Sequence, residues 1–371
     1  VTRAEPVEVS VDADGQRVEL AWSDGVREVL PAVWLIDNAE DAFDAQTGQR
    51  RLSIGAVDPQ VQIRSSSLEA AGLRVSLGGN DKLLIPRSRV LGRRRPRPAP
   101  ALWLTAGSIE APDPISADAF LTDDEVLAKT ASRVARQGLA ILAGGLAEPG
   151  YVERIVARFG FIRETNYGRL FDVRSEPRPS NLAYTAEALD LHTDNPYRDP
   201  PPTLQLLHAI RADPRGGATC LADGFAHGRA LEVDAPEAFD RLARTPVEFA
   251  YRAPDGSLYR ARRPILEEDP EGTLLTVRLN HRSLAPLDLA ADQLGPWYDA
   301  YRAFHASLHA PDASLKIRLE PGDVALFDNR RIAHGREAYD GGAADGRWLQ
   351  GCYAEIDGLL ATLARLRPEE T

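Results

Sequence analysis

The sequence predicts a mainly β protein with helices: a strand-rich sandwich or barrel with helices packed outside it, behind a small β-rich N-terminal domain. Three observations carry this. Residues 1–90 alternate apolar and polar side chains around Asp-Gly turns, strand-like stretches dominate after residue 181, and only a few amphipathic helical stretches interrupt them. The 371 residues are 43% hydrophobic, enough for two domains with real cores.

In "VEVSVDADGQRVELAWSDGVREVLP" the alternation is punctuated at Asp14–Gly15 and Asp24–Gly25, where glycine accepts the positive φ of a hairpin turn. "LRVSLGGNDKLLIP" adds a second strand pair. "LGRRRPRPAP" then crowds prolines and like charges together, which neither a helix nor a central strand tolerates. Residues 93–114 therefore read as a linker between an N-terminal domain, 1–92, and a larger one, 115–371. In "LTDDEVLAKTASRVARQG", Thr122 and Glu125 have capping-box spacing and Gly138 is a stop signal, so a helix is expected. "LAILAGG" reads as a buried strand and "PGYVERIVARFGF" as a short helix. Strands follow at "ALDLHTD", "PTLQLLHAI", "ATCLADG", "VEFAYRA", "TLLTVRLN", "LKIRLEPGDVALFDN" and "RWLQGCYAEID". Helices are expected at "APEAFDRLAR", "GPWYDAYRAFHASLHA" and "GLLATLARLR".

Composition narrows the function. A net charge of −11 argues against nucleic acid as a partner. No run approaches the ~18 apolar residues of a membrane span, and the first residues lack the apolar core of a secretory signal. Two distant cysteines, Cys220 and Cys352, form no disulfide framework, so a cytoplasmic protein is expected.

All seven histidines lie between His192 and His334. On a strand, residues i and i+2 share a face, so His192 and Asp194 are expected to project together. An imidazole beside a carboxylate suits a divalent first-row metal. His334, in "PGDVALFDNRRIAHGREAY", is the third candidate, expected at a strand end. Two histidines and one aspartate leave octahedral positions open, the facial-triad arrangement of non-haem Fe(II) oxygenases. Arg347, thirteen residues beyond His334, offers a bidentate fork for the far carboxylate of a keto-acid co-substrate, and Thr219 a hydroxyl for the same group.

With these residues the chain resembles the Fe(II)/2-oxoglutarate oxygenases of the taurine dioxygenase superfamily, and within it the γ-butyrobetaine and trimethyllysine hydroxylase branch. "WLIDN", "NLAYT", "HTDNPY", "PPTLQLLHAI", "GGATCLADGF", "PGDVALFDNRRIAHGREAY" and "RWLQGCY" carry the likeness, which spans nearly the whole chain. It implies a double-stranded β-helix (jelly-roll) core. It implies C–H hydroxylation coupled to decarboxylation of 2-oxoglutarate, with Fe(II), 2-oxoglutarate and O₂ as cofactor and co-substrates. By matching motifs, the iron ligands fall on His192, Asp194 and His334, and the 2-oxoglutarate contacts on Arg347 and Thr219. A trimethylammonium cage falls on Tyr167, Phe171, Tyr184 and Tyr353, with Phe171 where a Trp is familiar. Asn181 falls near the substrate's anionic end. A homodimer is the expected assembly, with a small trimethylammonium molecule as partner and neither nucleic acid nor membrane.

Two departures matter. Relatives carry a zinc on three cysteines and a histidine in the N-terminal domain. Here "DNAEDAFDAQTG" has Ala39, Asp41 and Asp44 at the cysteine positions, and the first half of the chain holds no cysteine or histidine, so no zinc is expected. Arg282 stands where an asparagine is familiar at the anionic end of the substrate. γ-Butyrobetaine is the first expected substrate. 2-(Trimethylammonio)ethylphosphonate is the alternative that Arg282 raises, and a taurine- or sulfonate-type substrate stands third.

Overall fold

The computed structural model describes residues 4–78, 82–92, 100–109, 113–178, 182–213, 215–340 and 346–368. The chain divides into two compact units, Val1–Arg97 and Pro98–Thr371. Among the described residues, no helix is long and apolar enough to cross a membrane.

The first unit has two antiparallel three-stranded sheets. One joins β1 (Pro6–Val11), β2 (Arg17–Trp22) and β3 (Arg27–Pro31), and runs into α1 (Ala32–Asp37). The other joins β4 (Ile63–Glu69), β5 (Gly72–Leu77) and β6 (Lys82–Pro86), and runs into α2 (Arg87–Gly92). Gly15 and Gly25 turn the first meander with φ of 68° and 84°. Alternate residues Val18, Leu20 and Trp22 of β2 pack with Leu73, Val75 and Ile85 in one apolar core. On the chain segment between the two sheets of this unit, a side-chain stack gathers on Phe43. The Arg89 guanidinium lies 3.4 Å from the Phe43 ring centroid and Arg50 lies 4.9 Å from it. Arg89 also donates to the carbonyls of Asn38 and Ala39, and Asp44 accepts from the amides of Gln46 and Thr47.

In the second unit the strands and helices run in this order: β7 (Ile115–Ser116), α3 (Ala117–Thr122), α4 (Asp124–Gln137), β8 (Leu139–Ala143), α5 (Tyr151–Val156), β9 (Ile162–Arg163), β10 (Phe171–Arg174) and β11 (Leu189–His192). Then come β12 (Leu204–Arg211), β13 (Thr219–Asp223), α6 (Gly224–Asp234), α7 (Pro236–Arg244), β14 (Val247–Arg252), β15 (Leu258–Arg263), β16 (Leu266–Glu268) and β17 (Leu274–Val277). The chain closes with α8 (Ala291–Leu308), β18 (Leu315–Ile317), β19 (Val324–Asp328), β20 (Ile332–Arg336), β21 (Trp348–Ala354) and α9 (Ile356–Leu366).

The major sheet runs β10-β21-β12-β19-β8-β7, with β9 also on β21, and the minor sheet runs β11-β20-β13-β18. Leu207, Ala325, Phe327 and Leu349 from the major sheet meet Leu221 and Ile332 from the minor one in a shared core. The alternate residues Leu204, Leu206, Leu326 and Cys352 turn outward under α3, α4, α5 and α9. Ala222 and Ala333, on the far face of the minor sheet, lie under α6, α7 and α8. This is a jelly roll with helices on both outer faces.

Several local expectations need correction. The cap of α4 is Asp123, whose side chain accepts from the Glu125 amide, while the Thr122 hydroxyl turns back to the Asp118 carbonyl. An aspartate adjacent to the first turn outcompetes the threonine before it. Gly138 does stop that helix, at φ 84°. Residues 101–109, read as linker, contribute Trp103 and Ile109 to the intersheet core, and the Trp103 amide bonds the buried Asp223 carboxylate. Helix α6 was not foreseen; its weakly amphipathic "GFAHGRALEVD" starts on an Asp223 cap.

Candidate active site

Strand alternation brings the site together. In β20, Ile332, His334 and Arg336 share the inner face, and in β13 Thr219 and Leu221 do. His192 lies directly across the ladder from His334, and their ring centroids are 4.3 Å apart. His334 therefore sits mid-strand rather than at the expected strand end. Asp194 departs from the expectation too. β11 ends at His192, so the i, i+2 pleat does not aim the carboxylate. A pinned turn does. The Asn329 side chain accepts from the Asp194 amide at 2.8 Å and donates to its carbonyl at 3.1 Å. Thr193 bonds the backbone of Leu279 through its amide and its hydroxyl, and Asn195 takes a φ of 53°.

The result is one compact donor set. Asp194 Oδ1 is 3.5 Å from His192 Nε2, Asp194 Oδ2 is 3.7 Å from His334 Nε2, and one donor atom of each lies within 4.8 Å of the others. The His192 Nδ1 nitrogen is 2.8 Å from the Asp190 carbonyl, which assigns it the proton and leaves Nε2 as the free lone pair. Burial pushes His334 down to about 3, so it is a neutral imidazole at pH 7. Burial opposes the charge of Asp194. His334, His192 and the Tyr353 hydroxyl outweigh it and hold the carboxyl well below the usual range. A neutral His334 imidazole and an ionised Asp194 carboxylate are in the state that Fe(II) requires of such ligands.

Beside the triad, Arg347 is buried, and its Nη1 has no hydrogen-bond partner among the described residues. Nη2 donates to Thr219 Oγ1 at 3.4 Å. Burial, then the neighbouring Arg336, pull Arg347 down to about 10, still charged at pH 7. A buried cation with an open donor fits the far carboxylate of 2-oxoglutarate.

Both features open on a cavity of about 290 Å³. Tyr167, Phe171, Tyr184, His192, Asp194, Thr219, Arg282, His334, Arg347 and Tyr353 all line it. Asn181 lies outside the described residues. Arg282 reaches the cavity from an exposed position on the one-turn helix His281–Ser283. The aromatic rings form a corner: Phe171 is 5.0 Å from Tyr353 and 6.3 Å from Tyr167. Phe171 lies opposite Gly351 across the β10–β21 ladder, and an added Cβ there would come within 2.4 Å of its ring. The hydroxyl of Tyr353 donates to Asp194 Oδ2 at 2.7 Å, so this ring is fixed to the metal ligand.

Sequence reasoning missed two further rings. Tyr251, on β14, stacks on Tyr197 at 5.0 Å and lies 5.9 Å from Tyr167, and both line the cavity. Tyr197 was within reach, because it ends the quoted "HTDNPY". Tyr251 gave no signal beyond a strand pattern. Two other histidines do structural work. His208 Nε2–H donates to the Leu146 carbonyl, and His227 meets the Ser307 hydroxyl.

A jelly roll with two histidines and one aspartate on facing positions, beside a buried arginine, is the architecture of a 2-oxoglutarate-dependent non-haem iron oxygenase. The chain belongs to the family described as taurine catabolism dioxygenase TauD, TfdA family, whose pattern matches residues 103–353. It is 33% identical over 363 residues to a gamma-butyrobetaine dioxygenase from Pseudomonas sp. (strain AK-1), covering 94% of each chain. Identity to the Homo sapiens gamma-butyrobetaine dioxygenase is 27%, over 94% of each chain. Identity to the mitochondrial trimethyllysine dioxygenase of Mus musculus is 30%, over 90% of this chain and 82% of that one. The solved structure of an asparagine oxygenase superposes with a TM-score of 0.50 at 20% identity, over 63% of this chain and 79% of that one, a likeness of fold. The enzyme is a dioxygenase that uses Fe(II) and 2-oxoglutarate.

Proposed function

We propose that this enzyme hydroxylates a small zwitterion with a trimethylammonium head and an anionic tail, with γ-butyrobetaine the first candidate. The observation that carries the reading is the corner of aromatic rings beside the triad. A quaternary ammonium has no N–H to donate, so hydrogen bonds cannot select it, whereas ring faces attract it by about 0.5–2 kcal/mol each. Among the described residues lining the cavity, Asp194 is the one carboxylate, and it is engaged by Tyr353 and the imidazoles. A cationic head thus meets rings rather than an acid. The relatives that act on γ-butyrobetaine and trimethyllysine support the same head group.

Bound iron with 2-oxoglutarate supplies O₂ activation coupled to decarboxylation of the keto acid. The chain's own contribution is placement. His192, Asp194 and His334 present the metal face, and Arg347 with Thr219 holds the far carboxylate of 2-oxoglutarate. Tyr167, Phe171, Tyr184 and Tyr353, with Tyr197 and Tyr251, hold the ammonium head. Val173, Leu207 and Leu349 add apolar surface to the cavity wall. Fixing both ends of a short substrate presents one carbon to the metal, where orientation alone is worth several kcal/mol.

Arg282 favours a second substrate. Its full charge at the cavity rim suits a phosphonate, which has more charge and more acceptor oxygens than a carboxylate. The test is succinate formation by the Fe(II)-loaded enzyme with 2-oxoglutarate, O₂ and either γ-butyrobetaine or 2-(trimethylammonio)ethylphosphonate. Turnover of γ-butyrobetaine supports the first reading. Turnover of the phosphonate alone, lost in Arg282→Gln, supports the second. Silence with both, iron being bound, refutes the ammonium reading.

A further inference from the structure

Arg336 is buried at 4% exposure, lines the cavity, and has no carboxylate partner among the described residues. Its donors all go to backbone carbonyls of one short segment. Nη1 meets Ala183 at 2.9 Å and Nε meets Glu187 at 3.1 Å. Nη2 meets Glu187 at 3.0 Å and Leu182 at 3.3 Å, and also Thr185. Tyr339, three residues on, adds its hydroxyl to the Thr185 carbonyl at 3.2 Å and its amide to the Ala186 carbonyl at 3.1 Å. The segment has one 3-10 turn, Leu182–Tyr184, and its residues Leu182, Ala183 and Tyr184 all line the cavity.

We propose that Arg336 is a positioning residue that sets the Tyr184 wall of the cavity at a fixed distance from the metal ligands. Burying a guanidinium without an acid is costly, so a neutral side chain would be the ordinary brace for a loop. Only arginine offers five donors in a rigid fork, and here that fork gathers the carbonyls of Leu182, Ala183, Thr185 and Glu187. Arg336 stands two residues from His334 on the same face of β20. One strand therefore carries a metal ligand and the clamp on the opposing wall. That wall decides how far from the iron a substrate head group rests, and so which C–H bond faces it.

The proposal rests on the ammonium reading only for its substrate probe. The full-length Fe(II) enzyme is compared with Arg336→Gln and Arg336→Lys. Hydrogen–deuterium exchange of the 182–189 amides, measured without substrate, is expected to speed up at least tenfold in Arg336→Gln, with β12 and β19 unchanged. The KM for whichever ammonium substrate the wild type turns over is expected to rise about 2- to 30-fold, the equivalent of one ring contact. The KM for 2-oxoglutarate stays within about twofold, and Arg336→Lys falls between the two on both readouts. Unchanged exchange at 182–189 overturns the clamp. A rise in the KM for 2-oxoglutarate alone also overturns it and makes Arg336 a co-substrate cation. If Arg336→Gln melts as a whole, Tyr339→Phe removes one bond to the same segment without touching a charge. It should shift the same exchange by less, and no shift there overturns the proposal. Wild-type silence on both ammonium compounds refutes the substrate reading alone, because the exchange readout needs no substrate.

Discussion

Replacing Tyr353 by Phe separates metal binding from the aromatic corner. The substitution keeps the ring 5.0 Å from Phe171 and deletes only the hydroxyl that donates to Asp194 Oδ2 at 2.7 Å. Tyr353 is 2% exposed, and its hydroxyl is the side-chain O–H that meets Asp194. A buried hydrogen bond to a charged acceptor contributes about 1.5–3 kcal/mol, which is roughly 10- to 150-fold in a binding constant. Losing an outer partner of a metal ligand commonly costs about 10- to 100-fold in affinity. The expected result is therefore a weaker Fe(II) dissociation constant by 1–2 orders of magnitude. At saturating iron, the substrate KM should remain within about threefold, because the ring face remains. The assay is anaerobic Fe(II) titration by calorimetry, followed by steady-state succinate formation at saturating metal. An unchanged iron affinity with a raised substrate KM would show that the hydroxyl serves the substrate, and would refute the reasoning.

Gly351→Ala should raise the ammonium substrate's KM and leave iron and 2-oxoglutarate binding intact, because the new Cβ displaces the Phe171 ring; a crystal structure with Phe171 unmoved would contradict this. Asp223→Ala strands the Arg331 guanidinium, which holds that carboxylate at 3.0 and 2.6 Å with both side chains 3% exposed or less. Stability in urea should fall by about 3–5 kcal/mol, and a loss below 1 would count against a tightly coupled pair. His208 is fully buried, and burial depresses its folded pKa below the ordinary 6.5. Its contribution to stability is therefore complete above pH 6.5 and is lost as pH falls below that value, with a slope of at most about 1.4 kcal/mol per pH unit. Proton NMR of the His208 ring checks this, and titration at or above 6.5 would overturn it.

The strands β2 and β5 were legible because each has one face in a core and the period of two is written in the residue types, whereas β12 and β21, buried on both faces, were legible as short apolar runs. The helices that carry a clear apolar stripe, α4, α7 and α9, were legible for the same reason. Helix α6 was not: its apolar residues are spread around it between the minor sheet and α8, which erases the period. The cap of α4 slipped by one residue because Thr122 and Asp123 both suit it, and local hydrogen-bond geometry decides between them.

At the site, the metal candidates His192, Asp194 and His334, and the co-substrate contacts proposed at Thr219 and Arg347, were legible in the sequence alone, because chemistry and spacing are properties of the chain. How they meet was decided by the tertiary structure. Asp194 is aimed by Asn329, 135 residues away, and His192 faces His334 through a ladder register that spacing does not specify. Tyr251 enters the cavity on a hairpin outside the two main sheets, and Arg336 reads in sequence as one more charged residue. Hydrophobic period and residue type are local quantities, so the sequence displays them directly. Contacts between residues far apart depend on where two sheets close, and that closure is settled only when the whole core packs.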